Sequence, residues 1–407
     1  MASEMEVHFR ALRAREFRRL DESGQVYLDY TGSALYAESH VAEHAAMLRR
    51  SLFGNPHSDS PASRASTDAL ERARAAVLRF FDADPAVYDL AFTANASGAL
   101  RLVGEAFPFG PGSRFVLCAD NHNSVNGIRE FAARRGAEVR HVGLDGELRM
   151  LDPDPHLIGA DRGRPHLFAF PAQSNFSGVR HPLEMVERAR GMGYRVLLDA
   201  AAFVPTAPLR LRDVPADFVA LSFYKMFGYP TGLGALIARR DALEMLVRPW
   251  FAGGTVDFVS TLAPLHGMKA GVEAFEDGTP SFLAVSAVPS GLELMERVGM
   301  ARLGYHVASL TRLLLRELAD LRHADGSPLV RLHGPADLRG RGGTVAFNLL
   351  DAAGGVVDYR VVEAAARDAG ISLRGGCFCN PGAAEHAFGF GAEASARCFA
   401  AALRHGF

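Results

Sequence analysis

Ala216-Asp217-Phe218-Val219-Ala220-Leu221-Ser222-Phe223-Tyr224-Lys225-Met226-Phe227-Gly228-Tyr229-Pro230-Thr231-Gly232-Leu233-Gly234 places a lysine inside an apolar, aromatic run. Phe218 to Phe223 reads as a buried strand, and Gly228 to Gly234 as a tight turn into Ala235-Leu236-Ile237. Lys225 then stands on a turn that faces a site. Lys269 is the only other lysine in the chain, so arginine meets the need for positive charge elsewhere. A lysine kept in such surroundings suits chemistry that a guanidinium cannot perform. A desolvated amine loses its proton near neutral pH and forms an imine with an aldehyde. The aldehyde that enzymes usually hold in this way is pyridoxal phosphate. The competing reading is a lysine at a strand end whose stem lies on apolar surface while its amine reaches water.

Working outward, Asp199 ends the apolar run Tyr194 to Leu198, as in a buried parallel strand that carries a carboxylate to its carboxyl end. Left unpaired, that carboxylate is costly to bury. A protonated pyridine nitrogen would hold it ionised and keep the ring a good electron sink; an N-cap aspartate is the alternative. One crossover segment, Pro205 to Pro215, and one strand fit between Asp199 and the lysine.

Earlier, Leu90-Ala91-Phe92 leads through Thr93-Ala94-Asn95-Ala96-Ser97-Gly98 into a helix near Ala99. Backbone N–H groups there, with the Ser97 hydroxyl, suit a phosphate, although small residues also cap ordinary helices. Arg114 to Cys118 delivers Asp120-Asn121-His122 to the same sheet edge, where His122 can cap a helix or stack on a flat ring. Strands at Glu138 to Val142 and His166 to Phe170 follow, the latter running into Pro171-Ala172-Gln173-Ser174-Asn175. This β-α-β alternation up to Arg239 predicts one mostly parallel sheet with its turns at the carboxyl edge. No GxGxxG, GxxxxGK[ST], HExxH or paired CxxC pattern occurs, which disfavours nucleotide folds and a metal site.

The 407 residues exceed one ordinary domain and predict a large α/β domain with a smaller one. With 44 basic and 46 acidic residues and no long block of like charge, neither nucleic acid nor an anionic membrane is an expected partner. The first twenty residues hold five arginines but no apolar run suited to secretion, and no membrane-length apolar stretch follows, so a cytoplasmic location is expected. Four cysteines, Cys118, Cys377, Cys379 and Cys398, fit a reducing compartment rather than a disulfide scaffold.

Elsewhere the sequence predicts an amphipathic helix over 4–20, a short strand from Val26 to Gly32, and a polar loop Phe53 to Ser58 that reaches an active site or a dimer partner. It predicts a mainly helical stretch from Asp241 to Leu321, ending in a long helix from Gly299. A strand at Gly343 to Leu349, a helix at Asp358 to Ala369, a strand at Ile371 to Arg374 and a last helix near Ala394 to Arg404 complete the chain. The loop Arg374-Gly375-Gly376-Cys377-Phe378-Cys379-Asn380-Pro381-Gly382 sets an arginine beside two thiols, suited to a carboxylate next to a reactive sulfur. Two incidental cysteines in a shaped loop are the alternative.

The small-residue turn, His122, Asn175, Asp199, Ser222 and Lys225, followed by a cysteine-bearing C-terminal loop, resemble the class V aminotransferase family, and within it the cysteine desulfurases. The strings Ser222 to Gly234, Phe275-Glu276-Asp277-Gly278-Thr279 and Gly376 to Gly382 are most similar to the PLP domain of molybdenum cofactor sulfurases. The resemblance implies PLP fold type I, aspartate aminotransferase-like: a helical segment 1–25 packing with the small domain, a large PLP-binding domain 26–298, and a small α+β domain 299–407. It implies that Lys225 carries the imine, Asp199 pairs with the pyridine nitrogen, His122 stacks on the ring and Asn175 touches cofactor or substrate. By the same resemblance Ala96 N–H, Ser97, Ser222 and Tyr224 would hold the phosphate, with Thr255 coming from the other subunit of a homodimer, Arg374 would take the substrate carboxylate, and Cys379 would carry the persulfide. The implied reaction removes sulfur from L-cysteine or a related amino acid for a protein or small-molecule acceptor. A C–S lyase, elimination or epimerisation enzyme in which Cys379 only lines the pocket is the second reading. Ala202 stands where desulfurases have glutamine, and Ala383 and Ala384 stand where the sulfurases have a further cysteine. Measured against the full sulfurases, the 407 residues are expected to hold the PLP domain and not the C-terminal one, which leaves the acceptor open.

Overall fold

The computed structural model describes residues 4–405. Its strands, in chain order, are β1 (Val26–Tyr27), β2 (Tyr88–Thr93), β3 (Arg114–Cys118), β4 (Glu138–Val142), β5 (His166–Pro171), β6 (Tyr194–Asp199), β7 (Phe218–Ser222), β8 (Gly234–Arg239), β9 (Val256–Val259), β10 (His266–Met268), β11 (Val330–His333), β12 (Ala346–Leu349) and β13 (Ile371–Ser372). Seven of them form one sheet in the order β2-β8-β7-β6-β5-β3-β4. From β7 to β4 every pairing is parallel, and β8 lies antiparallel between β2 and β7. Only the short return Gly228–Leu233 separates helix and strand there, and parallel strands need a crossover of a dozen or more residues.

Both faces of the sheet are covered, which is why its strands read as continuous apolar runs. Val116, Phe168, Phe170, Val196, Leu198, Val219 and Leu221 point to one face, under the helices Pro61–Phe80, Met185–Gly191 and Val288–Val298. Phe115, Leu117, Leu167, Ala169, Leu197 and Phe218 point to the other, under Ala96–Ala106 and Ile128–Arg134. The helix starts follow local chemistry. Ser60 accepts from Ser63 N with Pro61 in the first turn, and Asn95 accepts from Gly98 N.

Several local expectations change. The strand expected over Val26–Gly32 is confined to β1, which pairs in parallel with β13, Val26 opposite Ile371. Lys225 sits not on a turn but in a five-residue helix, Phe223–Phe227, closed by left-handed Gly228. The stretch read as mainly helical contains the hairpin β9–β10, and β11 and the helix Pro381–Ala387 were not anticipated. At the amino end the helix is broken into Glu4–Glu16 and Arg19–Ser23, and Phe9 stacks on His306 of the long helix Met300–Asp320 at 3.9 Å. Among the described residues no helix is long and apolar enough to cross a membrane.

Candidate active site

Five strand ends meet at one edge of the sheet, the carboxyl edge at which open α/β sheets bind ligands. The segment after β2 brings Asn95, Ala96 and Ser97, and that after β3 brings His122. Gln173 and Asn175 follow β5, Asp199 closes β6, and Ser222, Tyr224 and Lys225 come from the end of β7 and the helix after it. Together these residues line a cavity of about 130 Å³, with Leu100, Pro171, Ala201 and Ala202 completing it. In chain order the parallel strands run 4-3-5-6-7 across the sheet, so the site borders the point between β3 and β5 where the order reverses.

The site is cross-linked internally. Ser222 Oγ accepts from Ala96 N at 2.8 Å, which ties the β7 end to the helix N-terminus and gives this amide a partner. Ser97 and Ser124 hydroxyls share a 2.6 Å bond, and His122 Nδ1 accepts from Ser124 N at 3.1 Å. His122 therefore caps a helix and also lines the pocket. Burial lowers its pKa; Asp199 opposes that and Lys225 reinforces it. Asp199 is 8% exposed, and one of its oxygens accepts from Ala201 N at 3.0 Å.

Lys225 lines the cavity and is half-buried. Desolvation lowers its pKa, against the pull of Asp199 and with the push of Arg374, and Cys379 acts in the same sense as Asp199. All three groups are thus within electrostatic reach of the amine. Nothing described donates to or accepts from Lys225 Nζ, unlike Lys269, which pairs with Glu273 at 2.7 Å.

Cys379, Arg374 and Thr255 do not line the cavity. Cys377 to Asn380 form a tight turn, with Asn380 N bonded to Cys377 O at 2.9 Å. Phe378 and Cys379 both take left-handed conformations, φ +55° and +57°, as a type I′ turn requires. Neither is glycine, so the surroundings must offset the strain. Asn175 Nδ2 donates to Phe378 O at 2.7 Å, and Asn123 N donates to Cys379 O at 2.7 Å. Asn380 Nδ2 donates to Asp120 Oδ1 at 2.7 Å and to Asn175 Oδ1 at 3.0 Å. The thiol-bearing turn is thereby tied to the loops after β3 and β5, with Cys379 itself exposed. Arg374 forms a bidentate pair with Asp29. Thr255 is fully buried, its hydroxyl bonded within its own turn to Ala252.

Sequence reasoning missed three contributors. Asp120, fully buried, accepts from Ser174, His181 and Asn380 and so joins three loops. Gln173 lines the cavity and donates to Ala202 O at 3.0 Å, so an amide stands beside the alanine that occupies the desulfurase glutamine position. Asp29 is the third. Their polar types at strand exits were visible, but only the folded chain shows what they touch. The string Phe275 to Thr279 proves to be scaffolding: Glu276 pairs with buried Arg74 and accepts from Phe92 N at 2.8 Å, closing the end of β2.

The family model described as aminotransferase class-V matches residues 26–400. The chain belongs to this family. As a class V aminotransferase-family chain it has the PLP fold type I with a mostly parallel central sheet. It is 39% identical over 414 residues to the molybdenum cofactor sulfurase of Arabidopsis thaliana, covering 91% of this chain and 50% of that protein. The Homo sapiens molybdenum cofactor sulfurase is 37% identical, with 94% and 45% covered. The chain thus spans about half the length of the curated relatives it matches. Among solved structures, the apo cysteine desulfurase from Thermococcus onnurineus NA1 superposes with a TM-score of 0.80 at 25% identity, covering 93% of this chain and 90% of that one.

Proposed function

We propose that this class V aminotransferase-family protein is a PLP-dependent cysteine desulfurase, removing sulfur from L-cysteine or a related amino acid and holding it as a persulfide on Cys379. One observation carries the reading: the fold converges a desolvated, unpaired lysine, a buried carboxylate and a pocket-lining histidine, and ties a thiol-bearing turn to the same pocket through Asn175. The residues present fit pyridoxal phosphate. Lys225 offers an amine without a partner, Asp199 a carboxylate for the pyridine nitrogen, and His122 a ring in the same cavity. The N-terminus of Ala96–Ala106, with Ser97, Ser222 and Tyr224, offers donors for the phosphate. Once bound, the cofactor stores the electron pair released at the substrate α-carbon.

The chain's own residues then do the following. Lys225 Nζ would hold the cofactor through its aldehyde carbon, and as a free amine it would take the substrate α-proton and later return it to the same carbon; the lowered pKa suits it to that base role. Arg374 takes the substrate carboxylate. Cys379 Sγ attacks the substrate sulfur: the sulfur–sulfur bond forms as the carbon–sulfur bond breaks, and the β-carbon keeps the electron pair and gains a proton. The products are alanine and an enzyme persulfide, discharged to an acceptor protein or small molecule. Left-handed Phe378 and Cys379 hold the thiol on an exposed turn, where an acceptor can meet it.

The reading includes a cytoplasmic homodimer, in which Thr255 of the partner subunit would give up its bonds to Ala252 to complete the phosphate site. The loops holding Asn55, His57, Thr255, Gly278 and Thr279 converge through hydrogen bonds, beside an apolar hairpin on which Phe258, Leu262 and Leu265 are exposed. It also keeps a large domain over 26–298 and a small one over 299–407; the amino-terminal helices touch both, Phe9 stacking on His306 and Glu16 accepting from Ser39 N. The test is turnover of L-cysteine by PLP-loaded protein, scored for alanine and pyruvate. Alanine that disappears in Cys379→Ser supports the desulfurase; pyruvate and ammonia, undiminished in Cys379→Ser, would assign a C–S lyase instead.

A further inference from the structure

β1 and β13 pair in parallel with Tyr27 opposite Ser372, and Leu28 N continues the ladder to Ser372 O at 2.9 Å. Asp29 and Arg374 each stand two residues beyond that pair, so the register itself sets them face to face. Arg374 donates from Nε to Asp29 Oδ1 and from Nη2 to Asp29 Oδ2, both at 2.9 Å, in the fork-on-fork geometry that fixes a guanidinium plane. Gly32 N also donates to Asp29 Oδ1 at 3.2 Å. Gly32 makes room for this pair: a Cβ there would lie 2.1 Å from Arg374 Nη2 and 2.7 Å from Asp29 Oδ2 and would push the two side chains out of this arrangement.

Nη1 of Arg374 carries no described hydrogen bond, and the guanidinium is close enough to Lys225 and Tyr224 to bear on the ionisation of both. The two side chains are 47% and 21% exposed, and an ion pair this open to water contributes little to folding. Its geometry must therefore be explained by something other than stability.

We propose that Asp29 is a positioning residue for substrate recognition. It holds Nε and Nη2 so that Arg374 presents Nη1 to the carboxylate of an amino-acid substrate beside Lys225. A free arginine would spread over many rotamers, and fixing it beforehand removes that entropy from binding. The inference rests on the desulfurase reading for its substrate.

The test compares PLP-loaded wild type with Asp29→Asn and Asp29→Glu. Asp29→Asn is expected to raise KM for L-cysteine roughly tenfold, the size of one lost charge-assisted contact, while kcat stays within about threefold. Asp29→Glu should recover most of the loss. The same weakening should appear in the dissociation constant of L-alanine, read from the visible absorption of the loaded protein. Cysteamine, which lacks the carboxylate, should bind wild type and variant alike. An unchanged KM and alanine affinity, or tighter binding because Asp29 merely competes for Arg374, would overturn the proposal. A wild type that responds to no amino acid would instead overturn the desulfurase reading on which it rests.

Discussion

Lys225 couples the chemistry of the pocket to the stability of the chain. Its amine is neutral more readily in the fold than in the unfolded chain, where its pKa is about 10.4. Between its lowered folded value and that figure, the unfolded state binds more protons, so stability rises with pH across this window. The cofactor-free protein should therefore gain from Lys225→Met at pH 8, and the gain should shrink as pH approaches 10.5; a melting series in both forms measures it. The same variant, loaded with PLP and treated with borohydride, should retain no covalently bound cofactor. The lysine was legible in sequence because its scarcity and its aromatic surroundings conflict with ordinary lysine behaviour. Asp29 was not, because its significance lies in a pairing 345 positions along the chain.

At the level of elements, strand exits set the cavity and hydrogen bonds tie the cysteine turn to them. Asn380 links the two: its Oδ1 caps the helix Pro381–Ala387 at Ala383 N, and its Nδ2 bonds Asp120 and Asn175. Asn380→Ala removes a cap and leaves buried acceptors short of a donor, a loss of about 2–4 kcal/mol. Urea unfolding should show that loss, together with slower persulfide formation. Gly382 packs against the backbone so closely that a Cβ would lie 2.1 Å from Ala119 O. Gly382→Ala should lift the turn off the β3 exit and lower alanine formation more than it lowers PLP binding. The sheet strands and the long helix were legible because their apolar runs are long. The hairpin β9–β10 and strand β11 were not, since short, partly exposed strands carry little periodicity and take their pairing from context.

For the whole molecule, the exposed hairpin decides between a monomer and a dimer. Leu262 is 98% exposed, with Phe258 and Leu265 at 60% each, on a segment next to the loops that bury Thr255. Sedimentation of the loaded protein should give a dimer, and Leu262→Asp with Leu265→Asp should give a monomer that binds PLP more weakly. A dimeric double variant would move the interface elsewhere. The family resemblance, through Thr255, is the reason to expect a partner, and the exposed hairpin is the surface proposed to meet it.

The most direct test of the central claim follows the sulfur atom. PLP-loaded protein is mixed with L-cysteine, alkylated without reductant, digested and weighed peptide by peptide. The account predicts one additional sulfur on the peptide that bears Cys377 and Cys379, placed on Cys379 by fragmentation and formed along with alanine. Alanine-free turnover with no added sulfur on that peptide, or a persulfide that persists in Cys379→Ser, would contradict it.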